Sequence, residues 1–360
     1  MSKNYKTLLS RLQNRMNPEN YSDRKLYGDV EAVELAAAST NSMLEYVKRS
    51  MQGVAKEYTD KSIAAGSNVK SHLELVLNRV DYEYQGSVMT NTHIKGNSDI
   101  DLLVLSDKFY FSENHRIESE FVKAVNSYLL NEPQRIRLQA HVNAGKYLGN
   151  SNQDLLDIRM SSERKLTSAY FLCDTSKSKS IAITNQHLHR DVDIVVAAWH
   201  NTFEGIRDAD IRKNSIRIYD KESNDVGRVE SPFVSIERIN GKDGTVNGRL
   251  KKMIRFAKTI KCDADFEIDL SSFEINAICY NINTGKYATK PFYELVPVLY
   301  HEFERLNTDS LYRDSLVSVD GSEFIFKGKD RKVRALQHMC VELDDVLKDL
   351  AIHLVQSYVR

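Results

Sequence analysis

The sequence predicts an α+β protein, with strands in the first part of the chain and a mainly helical last third. Apolar residues recur at helical spacing from about residue 29 to residue 80. Residues 99–105 and 191–199 instead form two runs that are apolar on both faces of a strand, and each run begins with aspartates. After Ser231-Pro232 the spacing is helical again.

The length and composition are typical of a globular chain with two domains. The 360 residues are more than one hydrophobic core usually holds, and 41% of them are hydrophobic and 28% charged. We expect residues 1–230 to form a core domain with the N-terminal helix, and residues 231–360 to form a helical lobe.

Charge and cysteine usage exclude several classes of protein. Fifty basic residues balance fifty acidic ones, so no global field attracts nucleic acid or an anionic membrane. No apolar run is long enough to span a bilayer, and the first residues lack the apolar core of a signal peptide. The four cysteines contain no Cys-x-x-Cys pair, so neither a zinc ribbon nor a disulfide framework is indicated. We therefore expect a cytoplasmic protein without a membrane partner.

The first part of the chain is predicted to alternate between helices and strands. In the first helical region, Asn68 is a candidate cap for a second segment that leads directly to Gly86. Ser112 or Asn114 begins a further helix, and Pro133 ends it or follows its end. Residues 135–142 alternate as a strand does.

Further elements are predicted later in the chain. Residues 181–184 and 216–220 are predicted strands on either side of the second carboxylate-headed run. Residues 247–261, 292–306 and 331–358 are predicted helices.

The first candidate functional stretch contains Gly86-Ser87 and Asp99-x-Asp101. Alternation along a strand places Asp99 and Asp101 on one face, at the beginning of a buried strand. Two neighbouring carboxylates repel each other unless a cation lies between them, and Mg²⁺ prefers such oxygen ligands. Gly86 permits close approach of a ligand, and Ser87 offers a hydroxyl and an amide to phosphate oxygens. Each motif is also common in ordinary turns and solvated strand ends.

A third carboxylate favours the metal–triphosphate interpretation. Asp193 opens the second buried run, and Asp191 lies on the same strand face as an alternative. Two metal ions need one shared ligand and separate ligands for each ion, which three carboxylates supply. Together these motifs resemble the polymerase-beta-like nucleotidyltransferase superfamily. In that family the third acid precedes apolar residues and often a proline, so the resemblance indicates Asp193, with Val196 in the place of the proline.

Two further motifs lie in the helical part. Lys251, Arg255 and Lys258 follow each other at helical spacing, which makes either a phosphate-binding stripe or an ordinary solvated basic face. Ser272-Phe273 lies at the predicted start of a helix, where a serine is also a common N-cap.

With these motifs the chain is similar to the cyclic GMP–AMP synthase, oligoadenylate synthase and bacterial cyclic-oligonucleotide synthase group, the CD-NTases. The resemblance implies that Lys258, Arg255 and Ser272 contact the donor triphosphate and that Phe273 stacks on a base. The fold it implies is a polymerase-beta-like palm, a mixed sheet with a long N-terminal helix, with the active site in a cleft beside a helical lobe. No zinc insertion is indicated by the cysteines, so no nucleic-acid activator is expected.

The expected function is condensation of nucleoside triphosphates (ATP, GTP or others) into a cyclic di- or trinucleotide, with two Mg²⁺ or Mn²⁺ ions. The resemblance implies a role in bacterial anti-phage defence and a downstream effector that responds to the product. The alternative is a transferase that modifies an RNA end, a protein or a small molecule. An inactive nucleotide-binding scaffold is a third hypothesis, although a scaffold gains nothing from a repulsive carboxylate cluster. The choice of bases, the ring size and the linkage stay open.

Overall fold

The computed structural model describes residues 3–16, 42–94, 96 and 99–358. The earlier helices are α1 Tyr5–Met16, α2 Ser42–Met51, α3 Lys56–Glu74, α4 Asn114–Asn126, α5 Glu132–Val142, α6 Ser151–Ala169 and α7 Phe203–Asp208. The later helices are α8 Pro232–Thr245, α9 Arg249–Asp263, α10 Ser272–Asn281, α11 Leu295–Thr308, α12 Ser310–Ser315 and α13 Asp330–Tyr358. The strands are β1 Val80–Gln85, β2 Ile100–Ser112, β3 Cys173–Asp174, β4 Ile181–Asn185, β5 Arg190–Asn201, β6 Ser215–Asp220 and β7 Asp225–Glu230.

The strands form one mixed sheet, which confirms the predicted α+β class. The order is β1-β2-β5-β4-β3, and β6 pairs with both β5 and β7. Only the pairing of β2 with β5 is parallel among these strands, since the other ladders are antiparallel. β5 pairs with β4 along its first half and with β6 along its second half, so it lies at the centre of the sheet.

Both central strands are buried on both faces, as their unbroken apolar runs predict. Leu102 and Val104 of β2 pack with Ile194 and Val196 of β5 on the face covered by α3 and α6. The alternate residues of the two strands pack with Trp199, Ile216 and Phe233 on the other face. Strands buried on both sides hold their side chains in fixed positions, which suits a site at their beginning.

The described chain divides into two compact units. One contains Ala55–Met89 and Asp99–Glu237, which hold all the strands named above, and we call it the sheet unit. The other, the helical unit, contains Met1–Val54, Thr90–Ser98 and Arg238–Arg360. The domain boundary after residue 230 stays a prediction. The two compact units do not follow this boundary, because α1 and α2 of the N-terminal part pack in the same apolar core as the helices after residue 238.

Helix α9 is the centre of the helical unit. Every residue from Met253 to Ile260 is buried. Its apolar side chains pack against Tyr46 and Val47 of α2 and against Leu299 and Phe303 of α11. The helix is therefore enclosed by its neighbours, although its sequence suggests one polar face.

The first helical region differs from the prediction in its boundaries. Residues 29–41 lie outside the described residues. Beyond them the chain forms α2 and α3, which are separated near Gly53, and Asn68 lies inside α3 rather than at a cap. A strand, β1, lies between α3 and Gly86, although the prediction ran the helix directly into the turn. The alternation Val80-Asp81-Tyr82-Glu83 was the local signal for β1, since Val80 and Tyr82 pack on the core.

The strand predicted at residues 135–142 was wrong, because this segment is helix α5. Asn131 caps it: its side chain accepts a hydrogen bond from the Gln134 backbone amide, and the Asn131 backbone amide donates to the Gln134 side chain. Pro133 lies in the first turn of α5 and so starts a helix instead of ending one. Only Leu138 of α5 is buried, so the alternation reflected no buried strand face.

None of the described helices combines the length and the apolar composition that a membrane-spanning helix requires.

Candidate active site

The predicted carboxylates of the sheet unit converge at the beginning of the two parallel strands. In the β2–β5 ladder Asp101 pairs with Asp193, one step after Ile100 and Val192. Directly paired residues of neighbouring strands project from the same face, so these two carboxylates are neighbours. Asp99 immediately precedes β2 and is exposed. The strands thus bring together acids that are far apart in sequence.

The acids repel one another. Burial raises the pKa of Asp101 to about 7, and the carboxylates of Asp193 and Asp99 add to the shift. Although the residue as a whole is exposed, partial burial of its carboxylate also raises the pKa of Asp99, again with a contribution from Asp193. A bound cation would remove this penalty, because it favours the ionised form of each acid.

The geometry favours Asp193 over Asp191 as the third acid. Asp193 is the neighbouring charge with the largest effect on both Asp99 and Asp101. Asp191 is exposed and accepts a hydrogen bond of 2.5 Å from the Thr184 hydroxyl of β4. Asp191 is therefore bonded to the neighbouring strand β4, while Asp193 pairs in register with Asp101.

Gly86 is required at its position for two independent reasons. Its φ of +84° lies in the left-handed region, where a side chain causes strain. A Cβ atom built on it would lie 2.1 Å from Oδ2 of Asp101. The carboxylate of Asp101 thus rests directly against the backbone of Gly86. Ser87 follows in the same turn and is half-buried.

Lys177 is a site residue that sequence reasoning missed. Its Nζ lies 3.5 Å from Oδ1 of Asp193, and its charge opposes the raised pKa of Asp99 and of Asp101. It belongs to the turn between β3 and β4, which the sequence marks only as polar. No local pattern associates a lysine in such a turn with a distant aspartate.

The donor set fits a hard divalent cation. Asp99, Asp101 and Asp193 offer carboxylate oxygens, which are the ligands that Mg²⁺ and Mn²⁺ prefer. In their present rotamers, no three acidic, histidine or cysteine side chains of the described residues converge on a single metal position.

Two basic residues of α9, Arg255 and Lys258, are buried rather than solvated. Arg255 donates to the carbonyl oxygens of Met51 at 2.8 Å and Asn91 at 2.6 Å. Lys258 donates to the carbonyl of Thr92 at 3.2 Å. Burial lowers the pKa of Arg255 to about 10 and that of Lys258 to about 8. The solvated-face alternative is therefore wrong for these two residues.

The third member of the predicted stripe behaves differently. Lys251 lies 3.7 Å from Asp243, and its backbone amide also donates to that carboxylate. Arg255 and Lys258 instead donate hydrogen bonds to Asn91 and Thr92, in the segment that follows Gly86-Ser87 in the sequence. Their contact with a triphosphate stays a prediction.

At the start of α10 the two serines have separate roles. Ser271 is the N-cap: its hydroxyl accepts from the Phe273 amide, and Glu274 completes a capping box. Ser272 is the first residue of the helix and is exposed. Phe273 is half-buried and packs against the core of the helical unit. The capping alternative thus applies to Ser271, and Ser272 remains a candidate ligand residue.

Comparison with known proteins identifies relatives along almost the whole chain. Residues 237–348 match the cGAS/DncV-like nucleotidyltransferase C-terminal helical domain. A c-di-GMP synthase of Capnocytophaga granulosa is 44% identical over 98% of this chain and 99% of its own. A c-di-GMP synthase of a Lachnospiraceae bacterium is 41% identical over 96% of this chain and 97% of its own.

Solved structures agree with these sequence matches. The STING-associated CdnE c-di-GMP synthase of Flavobacteriaceae sp. superposes with a TM-score of 0.82 at 35% identity, covering 97% of this chain and 99% of the other. A CdnE c-UMP-AMP synthase of Rhodothermus marinus superposes with a TM-score of 0.58 at 16% identity, covering 84% and 95% of the two chains. The second match concerns the fold alone.

Proposed function

Because this chain belongs to the bacterial CD-NTase family of nucleotidyltransferases, we propose that it condenses two molecules of GTP into cyclic di-GMP. The identity of 44% and 41% to two c-di-GMP synthases, over nearly the whole chain, supports the choice of guanine and of a two-nucleotide ring. The main observation in support of this chemistry is that Asp101 pairs with Asp193 on neighbouring strands and that its carboxylate lies against Gly86.

The chemistry is two successive nucleotidyl transfers. A ribose hydroxyl oxygen of one GTP attacks the α-phosphorus of the other, and the bond to pyrophosphate breaks. The linear product then supplies its own triphosphate as donor, and a second transfer closes the ring with release of a second pyrophosphate. Every transfer releases one proton from the attacking hydroxyl.

The carboxylates carry the central role in this scheme. The family uses divalent metal ions, and we propose that Asp99, Asp101 and Asp193 hold two of them, Mg²⁺ or Mn²⁺. When bound, the ions lower the pKa of the attacking hydroxyl and neutralise charge on the triphosphate. Gly86 leaves room for the Asp101 carboxylate, and Ser87 offers its hydroxyl and amide to phosphate oxygens.

The helical unit supplies the proposed contacts to the donor nucleotide. Lys258 and Arg255 are the cations that we assign to phosphate binding, with Ser272 as a hydroxyl donor and Phe273 as the stacking residue. Both cations lie beside Asn91 and Thr92, and hydrogen bonds from cations to phosphate are stronger than those from neutral donors. The exposure of Ser272 leaves its hydroxyl accessible to a ligand.

The biological setting that we propose is anti-phage defence in the bacterial cytoplasm. Solved relatives are described as STING-associated, so the downstream effector is a STING-type receptor of the cyclic dinucleotide. Activity should need no nucleic acid, since the net charge is zero.

The test is incubation of the purified protein with labelled GTP and Mg²⁺ or Mn²⁺, followed by phosphatase treatment. A phosphatase-resistant product that co-migrates with cyclic di-GMP is expected, and single incubations with ATP, CTP or UTP should yield far less. Asp101→Asn is the inactive control. Label that appears only after addition of RNA, a protein or a small acceptor would instead support the alternative transferase.

A further inference from the structure

Lys177 contacts the proposed metal site from outside the motifs that define it. Its ammonium nitrogen lies 3.5 Å from Oδ1 of Asp193. An ammonium group and a divalent cation repel each other, so both cannot occupy the same side of one carboxylate at low cost. The contact therefore places the positive charge of Lys177 beside a carboxylate that is proposed to bind a metal ion.

The turn that carries Lys177 is anchored by buried charged residues. Arg159 of α6 has a fully buried side chain and donates to the carbonyl oxygens of Lys177 at 2.8 Å and Ser180 at 2.9 Å. Lys221 donates to the carbonyl of Thr175 at 3.3 Å, and its own amide donates to Ser178. The backbone on both sides of Lys177 is thus held by the interior.

A single acid connects these two anchors. Glu163 accepts hydrogen bonds of 2.7 Å from both buried Arg159 and half-buried Lys221, so each of these cations has a counter-charge. A network that is satisfied in this way holds a loop rigidly. In contrast, the side chain of Lys177 is 51% exposed, so it can turn away while its backbone stays in place.

We propose that Lys177 is a counter-ion that competes with the divalent cation for Asp193. In the metal-free enzyme it neutralises part of the carboxylate cluster, and it turns toward solvent when the metal binds. This inference rests on the proposed metal role of Asp193. Lys177 is a positioning residue in this scheme, since it acts through Asp193.

The experiment measures Mn²⁺ binding by electron paramagnetic resonance in the absence of nucleotide. Lys177→Gln should bind Mn²⁺ more tightly than the wild type, by about three- to tenfold for a half-exposed pair. Lys177→Arg keeps the charge and should retain the wild-type affinity. Lys179→Gln, a change to an exposed lysine in the same turn, is the matched control and should also leave the affinity unchanged.

Two results would overturn the proposal. The first is equal Mn²⁺ affinity of the wild type and Lys177→Gln. The second is a raised KM for GTP in Lys177→Gln with no change in metal affinity, which would make Lys177 a substrate contact. Failure of the proposed function is visible separately, as the absence of a phosphatase-resistant product from GTP. The metal measurement needs no substrate and so stands apart from that result.

Discussion

The two units of this protein differ in whether their clustered charged side chains have hydrogen-bond partners that offset the charge. In the sheet unit Asp99, Asp101 and Asp193 lie together, and burial and their mutual repulsion raise the pKa of the first two. In the helical unit Arg255 and Lys258 are enclosed by α9 and its neighbours, yet backbone carbonyls accept from each. The cations are thus compensated by backbone carbonyls, while Lys177 compensates only part of the charge of the acids.

The contrast distinguishes two signatures of function. A cluster of like charges that is only partly compensated costs stability and is typical of a binding or catalytic site. A buried cation that is hydrogen-bonded to backbone carbonyls contributes to the stability of the fold as well as to the binding of any ligand. Variants of the first kind should lose activity without losing stability, and variants of the second kind should lose some of both.

The largest effect is expected from Asp99→Asn combined with Asp101→Asn. Product formation should fall by roughly a thousandfold or more, equivalent to about 4 kcal/mol, because both metal ions lose ligands. The melting temperature should stay equal or rise, since the repulsion is relieved. The measurements are phosphatase-resistant product from GTP and thermal unfolding. A double variant with wild-type turnover would remove the carboxylates from the mechanism.

Gly86→Ala is expected to come next. The new methyl group would overlap Asp101 Oδ2, and the left-handed φ adds strain, so stability should fall by about 1–3 kcal/mol and activity should drop sharply. Gly145→Ala is the control, because a Cβ there meets no atom within 4 Å. Denaturant unfolding and turnover are compared for both variants. An active, stable Gly86→Ala would contradict the close contact with Asp101.

Lys258→Ala tests the compensated cations. Removal of the ammonium should weaken GTP binding by about 1.5–3 kcal/mol if it makes a charged hydrogen bond to phosphate. It should also lower stability, because the Thr92 carbonyl loses a donor. Lys252→Ala on the same helix is the control. Lower stability with an unchanged KM for GTP would make Lys258 purely structural and would sharpen the contrast between the units.

The last comparison concerns pH in the presence of a chelator. The pKa of Asp101 is about 7 in the folded protein, above its ordinary value of 3.8. A raised carboxyl pKa adds stability at low pH that is lost as the pH rises toward the folded value. The free energy of unfolding should therefore decrease between about pH 4 and pH 7. Asp101→Asn should lack this part of the decrease. A variant whose pH profile parallels that of the wild type would disprove the shift.

The sequence by itself determined the central elements and their chemistry. The runs that begin at Asp99 and Asp193 predict strands buried on both faces, because a period-two pattern with apolar residues on both sides is local information. The Gly86-Ser87 turn and the helix α9 could be placed in the same way. Segments with weak local patterns were assigned wrongly: α5 has one buried side chain, and β1 follows a helix without an intervening turn signal.

Only the tertiary structure decided which of these residues meet. The register that pairs Asp101 with Asp193 depends on how β2 and β5 align, and alternation within each strand does not specify it. The ion pair of Lys177 with Asp193 and the anchoring of its turn by Arg159 join elements that are separate in the sequence. The burial of Arg255 and Lys258 likewise comes from packing around α9, since a basic stripe has the same pattern whether water or protein covers it.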